Sequence, residues 1–235
     1  MARLLEEPYM HNIEELGEIS EGIEKELDEK DAVREVALKS VRTIIRLSSA
    51  AIRALHRGED SSSLLKEAKE EFRKLKALLS DHPDLYHAGF VESAQQEMAE
   101  AFILNAIVKD EKVPSPAELG MPSRPYLMGL GDVVGELRRM VLERIRTDDI
   151  GAAEKYLGIM EAIYEMLMRF DYPSGLIAIR KKQDMARSLV EKTRGEFTLA
   201  IRNKRLEQLL KDFEERISQV VAQMKSGAGE NKRNK

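Results

Sequence analysis

Cysteine and tryptophan are absent from all 235 residues. Without cysteine there are no disulfides, no thiolate metal ligands and no thiol nucleophile. Proline (7) and glycine (14) are scarce, so little interrupts the chain and helix formers dominate the rest. No stretch reaches the roughly 18 uninterrupted apolar residues of a membrane-spanning helix. The N-terminal Met1-Ala-Arg-Leu-Leu-Glu-Glu-Pro8 lacks the apolar run of a signal peptide. These absences lead to the expectation of a soluble, cytoplasmic protein. A Gly-rich phosphate loop, a Glu-x-x-His and a His-Glu-x-x-His are also missing, which removes P-loop, di-iron and zincin chemistry. The four histidines, His11, His56, His82 and His87, are scattered and read as surface or helix-end residues. A net charge of −4 argues against a surface coated for phosphate, while leaving room for a local basic patch.

What is present is helical periodicity. Val33, Val36, Ala37, Val41, Ile44, Leu47, Ala51, Ile52 and Leu55 recur at three- and four-residue steps, predicting a first helix from Ile13 or Leu27 to His56. From Leu27 it would span roughly 45 Å at 1.5 Å per residue. Gly58 is its expected stop, and Glu59-Asp60-Ser61 offers caps for a second helix over Ser62–Ser80. Asp81-His-Pro83 breaks that helix, and a third is expected over Leu85–Lys109. Prolines 114, 116, 122 and 125 with Gly120 predict a loop. A fourth helix then runs from Ser123 to about Thr147, and a fifth from the Asp148-Asp149 cap to Phe170. After Asp171-Tyr-Pro-Ser-Gly175 a sixth helix is expected from about Leu176 to Ile201, and a last helical stretch continues to about Met224. The expectation is an all-α bundle of six or seven long helices forming one domain over 1–224. Lys225–Lys235 reads as a polar, disordered tail.

Carboxylates are the remaining candidates for chemistry. Glu97 and Glu100 stand three apart on the third helix. Glu97 falls within the apolar series Phe90, Ala94, Ala101, Leu104, Val108, where an unpaired carboxylate is costly. Asp132 and Glu136 are four apart on the fourth helix, roughly opposite its stripe of Leu127, Leu130, Val134, Leu137 and Val141. Among 42 acidic residues such pairs also arise as ordinary solvated helix faces. Were the two pairs to converge, they would make an all-oxygen site suited to Mg²⁺ or Mn²⁺, ions that support phosphodiester hydrolysis.

At these residues the sequence resembles the translin superfamily, closest to its translin-associated factor X (TRAX) branch in a compact, archaeal-like form. The matching segments are Gln96-Glu97-Met98-Ala99-Glu100-Ala101, Tyr126-Leu-Met-Gly129, Asp132-Val-Val-Gly135-Glu136-Leu137-Arg138-Arg139-Met140, and Arg180-Lys181-Lys182-Gln183-Asp184. The resemblance spans about Asp28 to Leu210 and includes the helix order and the Pro-rich loop. It implies a metal-dependent endoribonuclease acting on single-stranded RNA inside a closed, octamer-like shell. The acids implied are Glu97, Glu100, Asp132 and Glu136, with Glu97 and Asp132 as direct ligands of Mg²⁺ or Mn²⁺. Arg139, Arg180, Lys181 and Lys182 are the candidate nucleic-acid contacts; an ion pair for Arg139, and a solvated face for the other three, compete with that role. The chain lacks the long insert that TRAX tends to carry between the acidic helices, which implies a homo-oligomer without a separate translin subunit. The competing expectations are a non-catalytic, translin-type binder of single-stranded RNA or DNA, and a helical scaffold.

Overall fold

The computed structural model describes residues 7–230, with side-chain burial defined for 12–221. Every regular element among them is a helix: α1 (Glu7–His56), α2 (Ser62–Leu78), α3 (Pro83–Tyr86), α4 (Gly89–Lys109), α5 (Pro116–Leu119), α6 (Ser123–Arg146), α7 (Ile150–Leu167) and α8 (Arg180–Glu230). The fold is therefore all-α, with six long helices and the single turns α3 and α5. None of the described helices is long and apolar enough to cross a membrane. Internal contacts divide the chain into two compact units, 1–133 and 134–235, and the division falls inside α6.

In the first unit α1 packs against both α2 and α4. Ala37, Val41, Ile44, Ala51 and Leu55 of α1, Leu65, Phe72 and Leu75 of α2, and Val91, Met98 and Leu104 of α4 are buried. Each large side chain among them contributes about 1.5–3 kcal/mol relative to exposure. α1 stops at Gly58 as expected: with φ +72° it takes the left-handed turn, and the Glu59 amide reaches back to the Ala54 carbonyl (2.9 Å). The next helix start is organised differently from the expectation. Ser61 turns inward and donates to Asn105 Oδ1, while the Asp60 carboxylate accepts from the Ser62 amide and from Lys109 Nζ. Those donors hold Asp60 at about 2 and tie the end of α4 to the start of α2. The expected third helix is two elements, because Ala88 is extended (ψ 149°) and begins α4 afresh after the Pro83 turn. Within the Pro-rich segment, α5 closes a capping box between Ser115 and Glu118. Lys69 and Lys76 donate to its terminal carbonyls, and the Tyr126 hydroxyl donates to the Pro114 carbonyl.

In the second unit α7 packs along α8. Asp149 caps α7 by accepting from the Ala152 amide, and Gln183 of α8 donates to the carbonyls of Leu167 and Phe170 at its other end. The last helix begins at Arg180 rather than Leu176, since 176–179 is a non-helical stretch that buries Ile177 and Ile179. It then runs unbroken to Glu230, past Met224 where polarity suggested an end; residues 231–235 lie outside the described residues.

Candidate functional site

The acidic residues of α4 sit where that helix meets α6. Gly129 is the contact point. A Cβ added there would stand 2.5 Å from the Gln96 carbonyl oxygen and 3.0 Å from both the Ala99 Cβ and the Glu100 amide nitrogen. Only a residue without a side chain permits this approach. One turn on from Gly129, Asp132 is within reach of α4, and the Gln96 side-chain amide donates to its carboxylate.

Burial is distributed differently from the periodicity. Glu100 is the buried acid, at 7% exposure, whereas Glu97 is half-buried. The reason is that α4 is buried over most of its circumference: Val91, Gln95, Met98, Ala99 and Ile103 are buried as well as the expected Ala94, Ala101 and Leu104. A single stripe therefore misranks the two acids. Glu97 accepts a long hydrogen bond from the Ser49 hydroxyl of α1 (3.4 Å). Asp132 is half-buried rather than on an open face, with the Gln96 side chain of α4 against it.

Glu136 follows Asp132 by one turn on α6 and belongs to the second unit. Its carboxylate pairs with Arg139 (3.0 Å), an exposed guanidinium. Of the two roles open to Arg139, the ion pair is the one observed. Arg180 and Lys181 are exposed at the start of α8, Lys182 is half-buried, and Arg180 lies 3.9 Å from Asp171. Sequence reasoning overlooked Arg138, which is held by Thr193 Oγ1 (2.7 Å) and by the Glu196 carboxylate. It likewise gave no role to Ser49, Gln96 or Gly129; the Gln96–Glu97 and Gly129 segments signalled the family, but not the crossing.

The donor set on α4 and at Asp132 is all carboxylate oxygen, which fits a hard divalent cation and excludes a soft one. Among the described residues, no three His, Asp or Glu side chains are grouped so that they could hold a metal ion. Glu97, Asp132 and Glu136 instead accept from Ser49, Gln96 and Arg139.

With this geometry in view, residues 30–203 match the translin family. The chain belongs to the translin family. This family member is 39% identical over 197 residues to an uncharacterized protein of Methanocaldococcus jannaschii, covering 82% of this chain and 87% of that one. Its fold is similar to the crystal structure of AfC3PO, with a TM-score of 0.72 and 36% identity over 79% of this chain and 98% of the other. The structure of AfC3PO in complex with duplex RNA is similar at a TM-score of 0.71 and 34% identity, over 79% of this chain and 97% of that one. Apo-NeC3PO shares the fold (TM-score 0.69) at 21% identity, covering 77% of this chain and 96% of that chain. The translin match ends close to two surface ion pairs, Lys30–Asp84 (2.9 Å) and Lys204–Asp148 (2.8 Å).

Proposed function

We propose that this translin-family chain is a metal-dependent endoribonuclease of the TRAX type, cutting single-stranded RNA within a closed homo-oligomer. The observation that carries the proposal is the α4–α6 crossing at Gly129, where the backbone amide of the buried Glu100 lies against Gly129 and Gln96 donates to Asp132 one turn further on. Acids kept at a helix crossing are suited to a hard divalent cation. The similarity to AfC3PO, whose structure contains duplex RNA, supports RNA as the ligand class.

Glu97, Glu100 and Asp132 would hold Mg²⁺ or Mn²⁺, with Glu97 and Asp132 as the preferred direct ligands, Glu136 being the fourth acid that the family resemblance implies. When bound, such an ion offsets charge developing on the scissile phosphate and makes water more acidic. Gln96 orients Asp132, and Ser49 steadies Glu97, so both carboxylates are positioned before substrate arrives. Loading the site requires these side chains to exchange protein hydrogen bonds for the ion. Arg180 and Lys181, both exposed, would meet the RNA backbone, as would Lys182. Arg139 would reach phosphate from its pairing with Glu136.

A second reading, an RNA-binding shell without catalysis, is favoured by one observation: no metal-holding group of three acids or histidines exists among the described residues. One assay separates the two. The full-length chain is incubated with end-labelled single-stranded and duplex RNA, in Mg²⁺, Mn²⁺ or EDTA. Cutting should require the divalent ion, and Glu97→Gln or Asp132→Asn should reduce it by about 100-fold or more while binding persists. Binding should weaken steeply with salt. Binding without cutting in either ion would establish the shell reading instead.

A further inference from the structure

Residues 171–176, between α7 and α8, are all exposed, yet the connector that carries them is pinned on both sides. On the incoming side, Gln183 donates to the carbonyls of Leu167 and Phe170. On the outgoing side, the amides of Leu176 and Ile177 return to the Pro173 carbonyl, and Ile177 and Ile179 are buried. Pro173 stiffens the turn further by fixing its own φ. The segment is exposed but pre-set.

It displays an aromatic ring. Tyr172 is 54% exposed and stands beside Phe170, with ring centroids 6.5 Å apart and planes tilted by 42°. A ring left so far in water adds little to the core. With Asp171, Pro173, Ser174 and Arg180 it lines a cavity of about 500 Å³, a size that takes a small ligand group. Residues 169–184 carry Arg169, Arg180, Lys181 and Lys182 against Asp171 and Asp184. The Arg180 side chain is 84% exposed and lies 3.9 Å from Asp171, too far for a hydrogen bond, so its donors remain open to an anion. An aromatic ring beside exposed cations binds single-stranded nucleic acid, the base on the ring and the phosphates on the cations. An acidic peptide would use the cations and leave the ring idle. Inside a duplex each base already has neighbours on both faces, so the ring has nothing to take.

We propose that Tyr172 stacks on an unpaired base of RNA while Arg180 and Lys181 hold the phosphates beside it. The connector then distinguishes single-stranded RNA from duplex. This role rests on RNA being the ligand, as proposed above, but needs neither a metal ion nor cleavage. Its residues belong to the second unit, whereas Glu97, Glu100 and Asp132 belong to the first.

Binding is measured on the full-length chain in EDTA, so that cutting plays no part. The probes are a single strand of RNA and the blunt duplex it forms with its complement. Tyr172→Ala should weaken single-strand binding by about 5-fold to 100-fold and leave duplex binding within about twofold. Tyr172→Phe and Tyr172→Trp keep a stacking face and should bind like the parent chain. Because the sequence contains no tryptophan, Tyr172→Trp also provides a single indole, whose emission should be quenched by the single strand and not by the duplex. Arg180→Ala should weaken single-strand binding and flatten its salt dependence. Single-strand affinity unchanged in Tyr172→Ala, an equal loss for both probes, or an indole indifferent to the single strand would overturn the platform while leaving RNA binding intact. A parent chain that binds neither probe would overturn both the platform and the proposed function.

Discussion

Arg138 shows how much one residue can do once its neighbours are known. Its guanidinium joins α6 to α8 through Thr193 and Glu196, and it is only 13% exposed. The hydrogen bond from Arg138 holds the Glu196 carboxyl below its ordinary 4.5, against the opposing effect of burial. Glu196 therefore stabilises the fold above the unfolded-state value of 4.5, and that contribution is lost as pH falls through the lower folded value. Arg138→Met should cost about 1–2 kcal/mol at neutral pH, the figure being kept low because Glu196 is one-third exposed. Urea titrations should show the gap between wild type and variant narrowing once the pH drops below the ordinary carboxylate range. A gap of constant size at all pH values would mean that packing, rather than the ion pair, is what Arg138 supplies.

At the scale of the element, the two competing effects of glycine can be weighed on this chain. Replacing a helix-interior glycine by alanine gains about 1 kcal/mol of propensity. Gly158 in α7 has open space around it, so Gly158→Ala should realise most of that gain. Gly129 faces α4 backbone at 2.5 Å and 3.0 Å, which cannot swing aside as a flexible side chain would. Overpacking of that sort costs about 1–3 kcal/mol. Gly129→Ala should therefore destabilise by about 1–2 kcal/mol net and loosen the Gln96–Asp132 bond, with equilibrium unfolding of both variants as the check. Equal effects at the two positions would show that the α4–α6 approach is not tight.

For the whole molecule, stability should be graded sharply along the chain. The α4 segment from Val91 to Ala106, buried on most of its faces, should exchange its amide hydrogens most slowly. Among the described residues, 12–29 and 205–221 bury no side chain and should exchange fastest in dilute solution. The division into two units near Val133 leaves no trace in composition, since α6 runs straight through it. Linker residues mark boundaries between elements; a boundary inside a helix has none to show.

The helices, their caps and the Pro-rich segment were legible in the sequence because they depend on neighbours within a few positions. Gly58, Asp149 and Pro116 act through backbone groups three to five residues away. Periodicity likewise identifies a helix with one buried face, as in α2, where Leu65, Ala68, Phe72 and Leu75 are buried. It could not rank Glu97 against Glu100, because α4 is buried over most of its surface and apolar residues all round erase the stripe. Nor could it reveal that Gly129 admits α4, that Gln96 holds Asp132, or that Arg139 is occupied by Glu136. Those facts depend on residues that are distant in sequence, or on which rotamer a side chain adopts. The same limit explains the ends of α1 and α8: their apolar series are written in the sequence, but only the tertiary structure shows that no described part of the same chain covers them.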